Sequence, residues 1–271
     1  MSDSQRFSCA LITGASSGLG EEFAQQLAPR ADKLILVARR EDRLQALATV
    51  IREEFPQVAV EILPADLSSP SGCEALLQAL ATKNLHPDLL VNNAGLGDYG
   101  EFAGSDWART ESMLQVNMLA LTRLTHAMVN RMIESKRGAI INISSLASTL
   151  PMPDFAVYAA TKAYVSSFSE ALRIELKPHG IPVLAVCPGP VKTEFGLVAS
   201  RLPNGEGIPT MQAMAVTKEL VVSQSLAFLA KGKARLYPGW KIAIAGSILN
   251  CLPLWIARIL MSKRPRKPKS V

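Results

Sequence analysis

The sequence has only four cysteines and three histidines among its 271 residues. Cys9, Cys73, Cys187 and Cys251 lie far apart with no C-x-x-C pair, so no disulfide framework is expected and reduced thiols are the natural state. His86, His126 and His179 are isolated; no metal-ligand spacing is present and no metal site is expected. The N-terminal run MSDSQRFSCALITGAS lacks an apolar stretch long enough for a signal peptide, so a cytoplasmic protein is expected. Internal repeats are missing, as is any low-complexity linker before the C-terminal tail, and the length suits one α/β domain.

Acidic residues are absent where the basic ones are densest. The net charge is +6, yet residues 258–271 hold Arg258, Lys263, Arg264, Arg266, Lys267 and Lys269 and no acid. Without those six, the remaining 23 basic residues balance the 23 acidic ones. The body is neutral, which argues against nucleic acid as a partner. The tail is either a solvated terminus or a contact with a membrane surface.

What is present is a regular alternation. Short apolar runs at 9–13, 34–37, 58–63, 89–91, 139–143 and 183–186 read as strands. Stretches with helical spacing separate them at 19–27, 41–55, 71–83, 106–135 and 155–177. Continuous apolar strands alternating with amphipathic helices predict a parallel sheet covered on both faces, the doubly wound (Rossmann) α/β fold. Residues 1–240 are expected to form the dinucleotide-binding and catalytic part, and 241–271 an extension of the same domain. Residues 242–257 carry no charge, but the run is shorter than the ~20 residues of a spanning helix, and Asn250 and Pro253 interrupt it. A subunit-interface or core-covering segment, an interfacial membrane contact and a span remain as readings.

Two clusters carry chemistry. T-G-A-S-S-G-L-G at 13–20 lies between the first strand and the first helix, where Gly14, Gly18 and Gly20 allow a tight turn close to a pyrophosphate. The helix behind it aims free N–H groups at that anion. Arg39 and Arg40 close the second strand where an acid would read the ribose 2′-hydroxyl of NAD; arginines fit the 2′-phosphate of NADP(H). In the second cluster Tyr158 and Lys162, at i and i+4, share a helix face. An ammonium there is expected to favour the phenolate and lower the tyrosine pKa. Ser145 lies thirteen residues before Tyr158, just past the fifth strand, where a hydroxyl can hold a carbonyl.

The residues 13–20, Asn92-Asn93-Ala94-Gly95, Asn117, Ser145, Tyr158 with Lys162, and Pro188-Gly189 fall in an order that resembles the short-chain dehydrogenase/reductase family over about residues 8–240. The resemblance implies hydride transfer between NADP(H) and a carbonyl or secondary alcohol. Tyr158 is then the acid/base, Ser145 orients the carbonyl, and Lys162 tunes Tyr158 and binds the nicotinamide ribose. Asn117, in a local helix distortion, holds a water that links Lys162 to solvent. The implied cofactor contacts are Gly14, Ser16, Ser17, Gly18, Leu19 and Gly20 in the turn, with Arg39 and Arg40. Asp66 and Leu67 follow the third strand, and Asn93, Ala94 and Gly95 the fourth. Tyr158, Lys162, Pro188, Gly189, Val191 and Thr193 complete the set. The family also implies a homodimer or homotetramer, built through the two long helices.

Segments 96–102, 146–155 and 195–214 are expected to set substrate choice, the last as a lid. Their apolar residues suggest a lipid-, acyl- or steroid-like small molecule, with reduction favoured. The rival readings are a cofactor-binding regulator and a membrane-associated scaffold, both without turnover.

Overall fold

A computed structural model describes residues 6–200 and 214–262. The expected strands appear as β1 (Ala10–Thr13), β2 (Lys33–Ala38), β3 (Ala59–Pro64), β4 (Leu89–Asn92), β5 (Ala139–Ile143) and β6 (Val183–Val186). A seventh, β7 (Arg235–Leu236), adds to the β6 edge through Ala185↔Arg235 and Val186↔Leu236. It has two residues, one of them charged, so it leaves no apolar run to read. All pairings are parallel, in the order β3-β2-β1-β4-β5-β6-β7.

Side chains alternate across the sheet and feed two cores. Ile12, Leu34 and Leu36 pack with Phe23 and Leu27 of α1 (Gly18–Leu27), Leu44 of α2 (Glu41–Glu54) and Val221 of α8 (Lys218–Ala230). Leu11, Ile35 and Val37 point the other way. They meet Leu76 of α3 (Pro70–Thr82), Leu124 of α5 (Leu121–Glu134) and Leu172 of α6 (Ala156–Leu176). The helix expected over 106–135 is divided: α4 (Trp107–Leu114) leads into a π-helical segment at Gln115–Ala120 before α5. A buried polar chain ties the central strands to the helices below. Asn92 donates to Thr125 and to Asn142 Oδ1 at 3.0 and 2.9 Å, and Asn142 donates to Ser169 at 2.9 Å.

Chain direction across the sheet reverses between β1 and β4, and a crevice opens outside their C-terminal ends. The C-terminal segment lies over this end as α9 (Trp240–Asn250) and α10 (Leu254–Ser262), after the short α7 (Phe195–Ala199). Ile242 is fully buried, and a Cβ at Gly189 would stand 2.4 Å from its Cδ1. A Cβ at Gly246 would likewise stand 2.5 Å from the Tyr237 ring. Glycine at both positions therefore lets α9 seat directly on the ends of β6 and β7. Among the described residues no helix is long and apolar enough to cross a membrane, which removes the spanning reading for them. Residues 263–271, with five of the six basic residues of the expected tail, and residues 201–213 of the expected lid with Met211, lie outside the described residues.

Candidate active site

The glycine turn is held open from two sides. Asn93 donates from its side-chain amide to the carbonyls of Thr13 and Gly14, at 2.9 and 3.3 Å. Thr13 Oγ1 accepts from the backbone N–H of both Asn93 and Ala94 at 3.0 Å. Gly14 and Gly18 adopt φ of +67° and +61°, a region that side chains disfavour. A Cβ at Gly14 would lie 2.9 Å from Ala94 Cα, one at Gly18 would lie 3.1 Å from Thr193 Cγ2, and one at Gly20 would lie 2.2 Å from Gly14 O. Gly20 therefore shapes the turn from behind and does not line the cavity. Ser17 caps α1 without a side-chain bond, so the first N–H groups of the helix stay available to an anion.

Arg39 and Arg40 both face the cavity at the end of β2. Arg40 donates to Ser16 Oγ at 3.3 Å and pairs with Glu194 at 3.1 Å. Asp66 binds the N–H and hydroxyl of Ser68 at 3.0 and 2.7 Å. Its partial burial raises the carboxyl pKa, but the Ser68 bonds and the charge of Arg39 outweigh this and hold it below the ordinary value. The residues present fit a dinucleotide with an added phosphate: a turn with glycine at its two left-handed positions, an open helix end and two cations beside the ribose position.

Tyr158 and Lys162 project from the first turns of α6 and are buried. Lys162 Nζ donates to Ile143 O at 2.9 Å and stands 5.7 Å from the Tyr158 ring centre. Ser144 Oγ donates to Lys162 O at 2.8 Å and so fastens this turn of α6 to the end of β5. Phe155 stacks on Tyr158, centroids 4.2 Å apart and planes 21° apart, and the Phe195 ring is tilted against Tyr158 at 5.5 Å.

The expected lowering of the tyrosine pKa by Lys162 is not found. Burial pushes Tyr158 up to about 12, and the hydrogen bond with Ser145 offsets this only in part. Burial also pushes Lys162 down to about 8. Desolvation disfavours the charged form of each enclosed group and sets both directions.

Asn117 sits inside the π-helical segment and does not line the cavity. Its side chain accepts from Leu96 N at 2.8 Å and donates to Leu96 O at 2.9 Å and Thr161 Oγ1 at 3.0 Å. Thr161 in turn donates to Tyr158 O at 2.7 Å. Asn117 thus joins loop 96–100 to the backbone of the tyrosine turn.

Ser16, Ser17, Leu19, Leu67, Ala94, Gly95, Ser145, Pro188, Gly189, Val191 and Thr193 line the same cavity as Gly14, Gly18, the arginines, Asp66, Asn93, Tyr158 and Lys162. Its volume is about 980 Å³. It is also lined by Leu96, Tyr99, Leu150, Met152, Phe155, Phe195 and Met214, from the three segments expected to set substrate choice. Ala245, Ile248 and Leu249 of α9 and Met261 of α10 complete the wall. The sequence reading missed these four, because an uncharged C-terminal stretch carries no mark of which site it covers.

Residues 8–200 match the family model for short chain dehydrogenases. A very-long-chain 3-oxoacyl-CoA reductase-like protein of Arabidopsis thaliana is 38% identical over 69% of this chain, the match spanning 61% of that protein. The very-long-chain 3-oxoacyl-CoA reductase of Rattus norvegicus is 30% identical over 91% of this chain and 76% of its own. A short-chain dehydrogenase from Sphingobium yanoikuyae, solved in complex with NADPH, is 33% identical and superposes with a TM-score of 0.79, covering 97% of this chain and 98% of that one. With a glycine cradle, a serine, a tyrosine and a lysine along one cavity of a seven-stranded parallel sheet, this chain belongs to the short-chain dehydrogenase family.

Proposed function

We propose that the protein transfers a hydride between NADP(H) and a carbonyl or secondary alcohol on an apolar substrate of lipid, acyl or steroid type, with reduction the favoured direction. The observation that carries this reading is one continuous cavity: it runs from the glycine turn and Arg39, past Tyr158 and Lys162, into an apolar chamber. The names of the 3-oxoacyl-CoA reductase relatives and the NADPH in the Sphingobium structure support it.

Bound nicotinamide supplies the hydride. Ser145 and Tyr158 hold the carbonyl oxygen, and Tyr158, protonated well above neutral pH, donates its proton to that oxygen. The phenolate left behind keeps the Ser145 hydrogen bond, which favours the charged form, and the Lys162 amine stands 5.7 Å from its ring centre. Lys162 spends one donor on Ile143 O and keeps the others for a ribose hydroxyl. Arg39 and Arg40 receive the 2′-phosphate. The exposed Leu119 and Ile174, on the two long helices, support a homodimer or homotetramer built through them.

The test is a fluorescence titration with NADPH and NADH. NADPH is expected to bind much more tightly, with Arg39→Ala erasing most of the difference. Tyr158→Phe is expected to keep NADPH binding and lose turnover of a bulky ketone by about 10²–10⁴-fold. Failure to bind either cofactor overturns the reading.

A further inference from the structure

From residue 220 to the C-terminus the chain has no acidic residue and ten basic ones. Over the same stretch apolar side chains come to the surface. Of the fourteen large apolar residues exposed among the described ones, six fall within residues 240–259: Trp240, Ile244, Ile248, Leu254, Trp255 and Ile259. Each is more than half exposed, at 52–72%. They are arranged as stripes. Trp240, Ile244 and Ile248 follow one another at i, i+4 and i+8 on α9, opposite the buried Ile242 and Gly246. Trp255 and Ile259 repeat the spacing on α10, opposite the buried Ala257. Isolated apolar residues on a surface need no explanation, whereas a contiguous set marks a contact.

We infer that the outer faces of α9 and α10, with the basic residues that follow, dock on an anionic lipid surface, and that the substrate cavity opens at that contact. Charge selects this occupant. Aliphatic and tryptophan side chains beside Arg258, followed in sequence by Lys263 and Arg264 and no acid, suit a hydrocarbon boundary under negative headgroups; the acids near in space, Glu101 and Asp154, are confined to the cleft at the end of α10 with Met261 and Ser262. A nucleic acid matches the charge but gives the aliphatic stripes nothing to contact. A second copy would bring two surfaces of the same positive charge together. Among the described residues no helix is long and apolar enough to span, and the proposed contact is an interfacial one. The mouth of the cavity belongs to the same surface: Ile248 is on the α9 stripe and lines the cavity, and Met261 lines both the cavity and the cleft beside the exposed Phe102. An apolar substrate dissolved in the lipid therefore meets the opening without crossing water. The point about entry rests on the proposed function; the docking does not.

The experiment is co-sedimentation of the full chain with vesicles of phosphatidylcholine alone or with phosphatidylglycerol added, together with light scattering and NADPH titration. Binding is expected to be strong only with phosphatidylglycerol and to fall with salt, since each basic residue near such a surface contributes roughly fivefold in affinity. The Trp255→Glu/Ile259→Glu variant is expected to lose vesicle binding, with oligomeric state and NADPH affinity unchanged. A variant with Lys263, Arg264, Arg266, Lys267 and Lys269 replaced by Gln is expected to lose the preference for phosphatidylglycerol. Equal binding to both vesicles at low salt overturns the proposal. So does a Trp255→Glu/Ile259→Glu variant that falls from oligomer to monomer, because a second copy then covers this face. Unchanged NADPH binding separates either failure from failure of the enzymatic reading.

Discussion

Arg40, at the turn after β2, pairs with Glu194, in the loop after β6, at 3.1 Å. Both residues line the cavity, and Glu194 directly precedes Phe195, whose ring touches Tyr158. A 2′-phosphate and Glu194 therefore compete for one guanidinium. Both side chains are more than 40% exposed, so the pair is worth at most about 1 kcal/mol. Glu194→Gln is expected to tighten NADPH binding up to roughly fivefold, that energy expressed as affinity, and to leave NADH unchanged. Weaker NADPH binding in this variant would show instead that Glu194 holds Arg40 in the receptive position.

The two displaced pKa values make a prediction about stability. Lys162 has an ordinary value of 10.5 and a folded value of about 8. Between those limits the unfolded chain binds more protons, so raising the pH through this window stabilises the fold. Tyr158 acts in the opposite sense. Its ordinary value is 10.0 and its folded value about 12, so the folded chain keeps the proton longer and stability falls across that window. Without cofactor, the melting temperature is expected to rise relative to other buffer effects from about pH 8 to about pH 10 and then turn down. Lys162→Met should flatten the rising limb, and Tyr158→Phe the falling one. Differential scanning calorimetry across that pH range checks both, and parallel curves for wild type and variants would contradict the assignment.

Asn117 gives a third prediction, on stability and activity together. Its side chain satisfies both backbone groups of Leu96 and also reaches Thr161. Asn117→Ala leaves these buried groups without partners, a cost of about 1–3 kcal/mol for each group stranded. Urea denaturation should show the loss, and kcat should fall because Thr161 holds the backbone of the tyrosine turn. Asn117→Asp keeps the acceptor for Leu96 N but has no donor for Leu96 O, so it is expected to rescue only part of the stability. Full rescue would mean that the two amide donors carry little weight.

How much of this was legible from residues alone depended on the range of the interaction. β1 to β6 were visible because strands covered on both faces must be apolar throughout, and the glycine turn because only glycine tolerates its contacts. β7 was not, since two residues that include Arg235 make no run. The division of the helix at Gln115–Ala120 left no sign in the apolar spacing; the family resemblance alone implied a distortion at Asn117, whose partners come from loop 96–100 and α6. The pKa of Tyr158 was misjudged for a related reason. Sequence spacing placed a cation nearby, but burial sets the direction, and Phe155 and Phe195 pack against the ring. The Arg40–Glu194 pair joins residues 154 positions apart, which no local pattern reports.

The C-terminal wall supplies the last prediction, because it separates substrate size from chemistry. Ala245 lines the cavity from α9, and none of the hydrogen bonds that hold Ser145, Tyr158, Lys162 or Asn117 involves it. Ala245→Phe adds a ring to the apolar chamber without touching the proton path. A pocket changed by one or more carbon atoms discriminates by about 10–200-fold. The variant is therefore expected to lower kcat/KM for a long-chain or polycyclic ketone within that range, mostly through KM. A small ketone that occupies only the space beside Tyr158 should be turned over as before. If both substrates suffer equally, the effect lies in the fold of α9 against Gly189 and not in the chamber. NADPH affinity then decides the matter, since Gly189 also lines the cofactor end and a displaced α9 would weaken that binding as well.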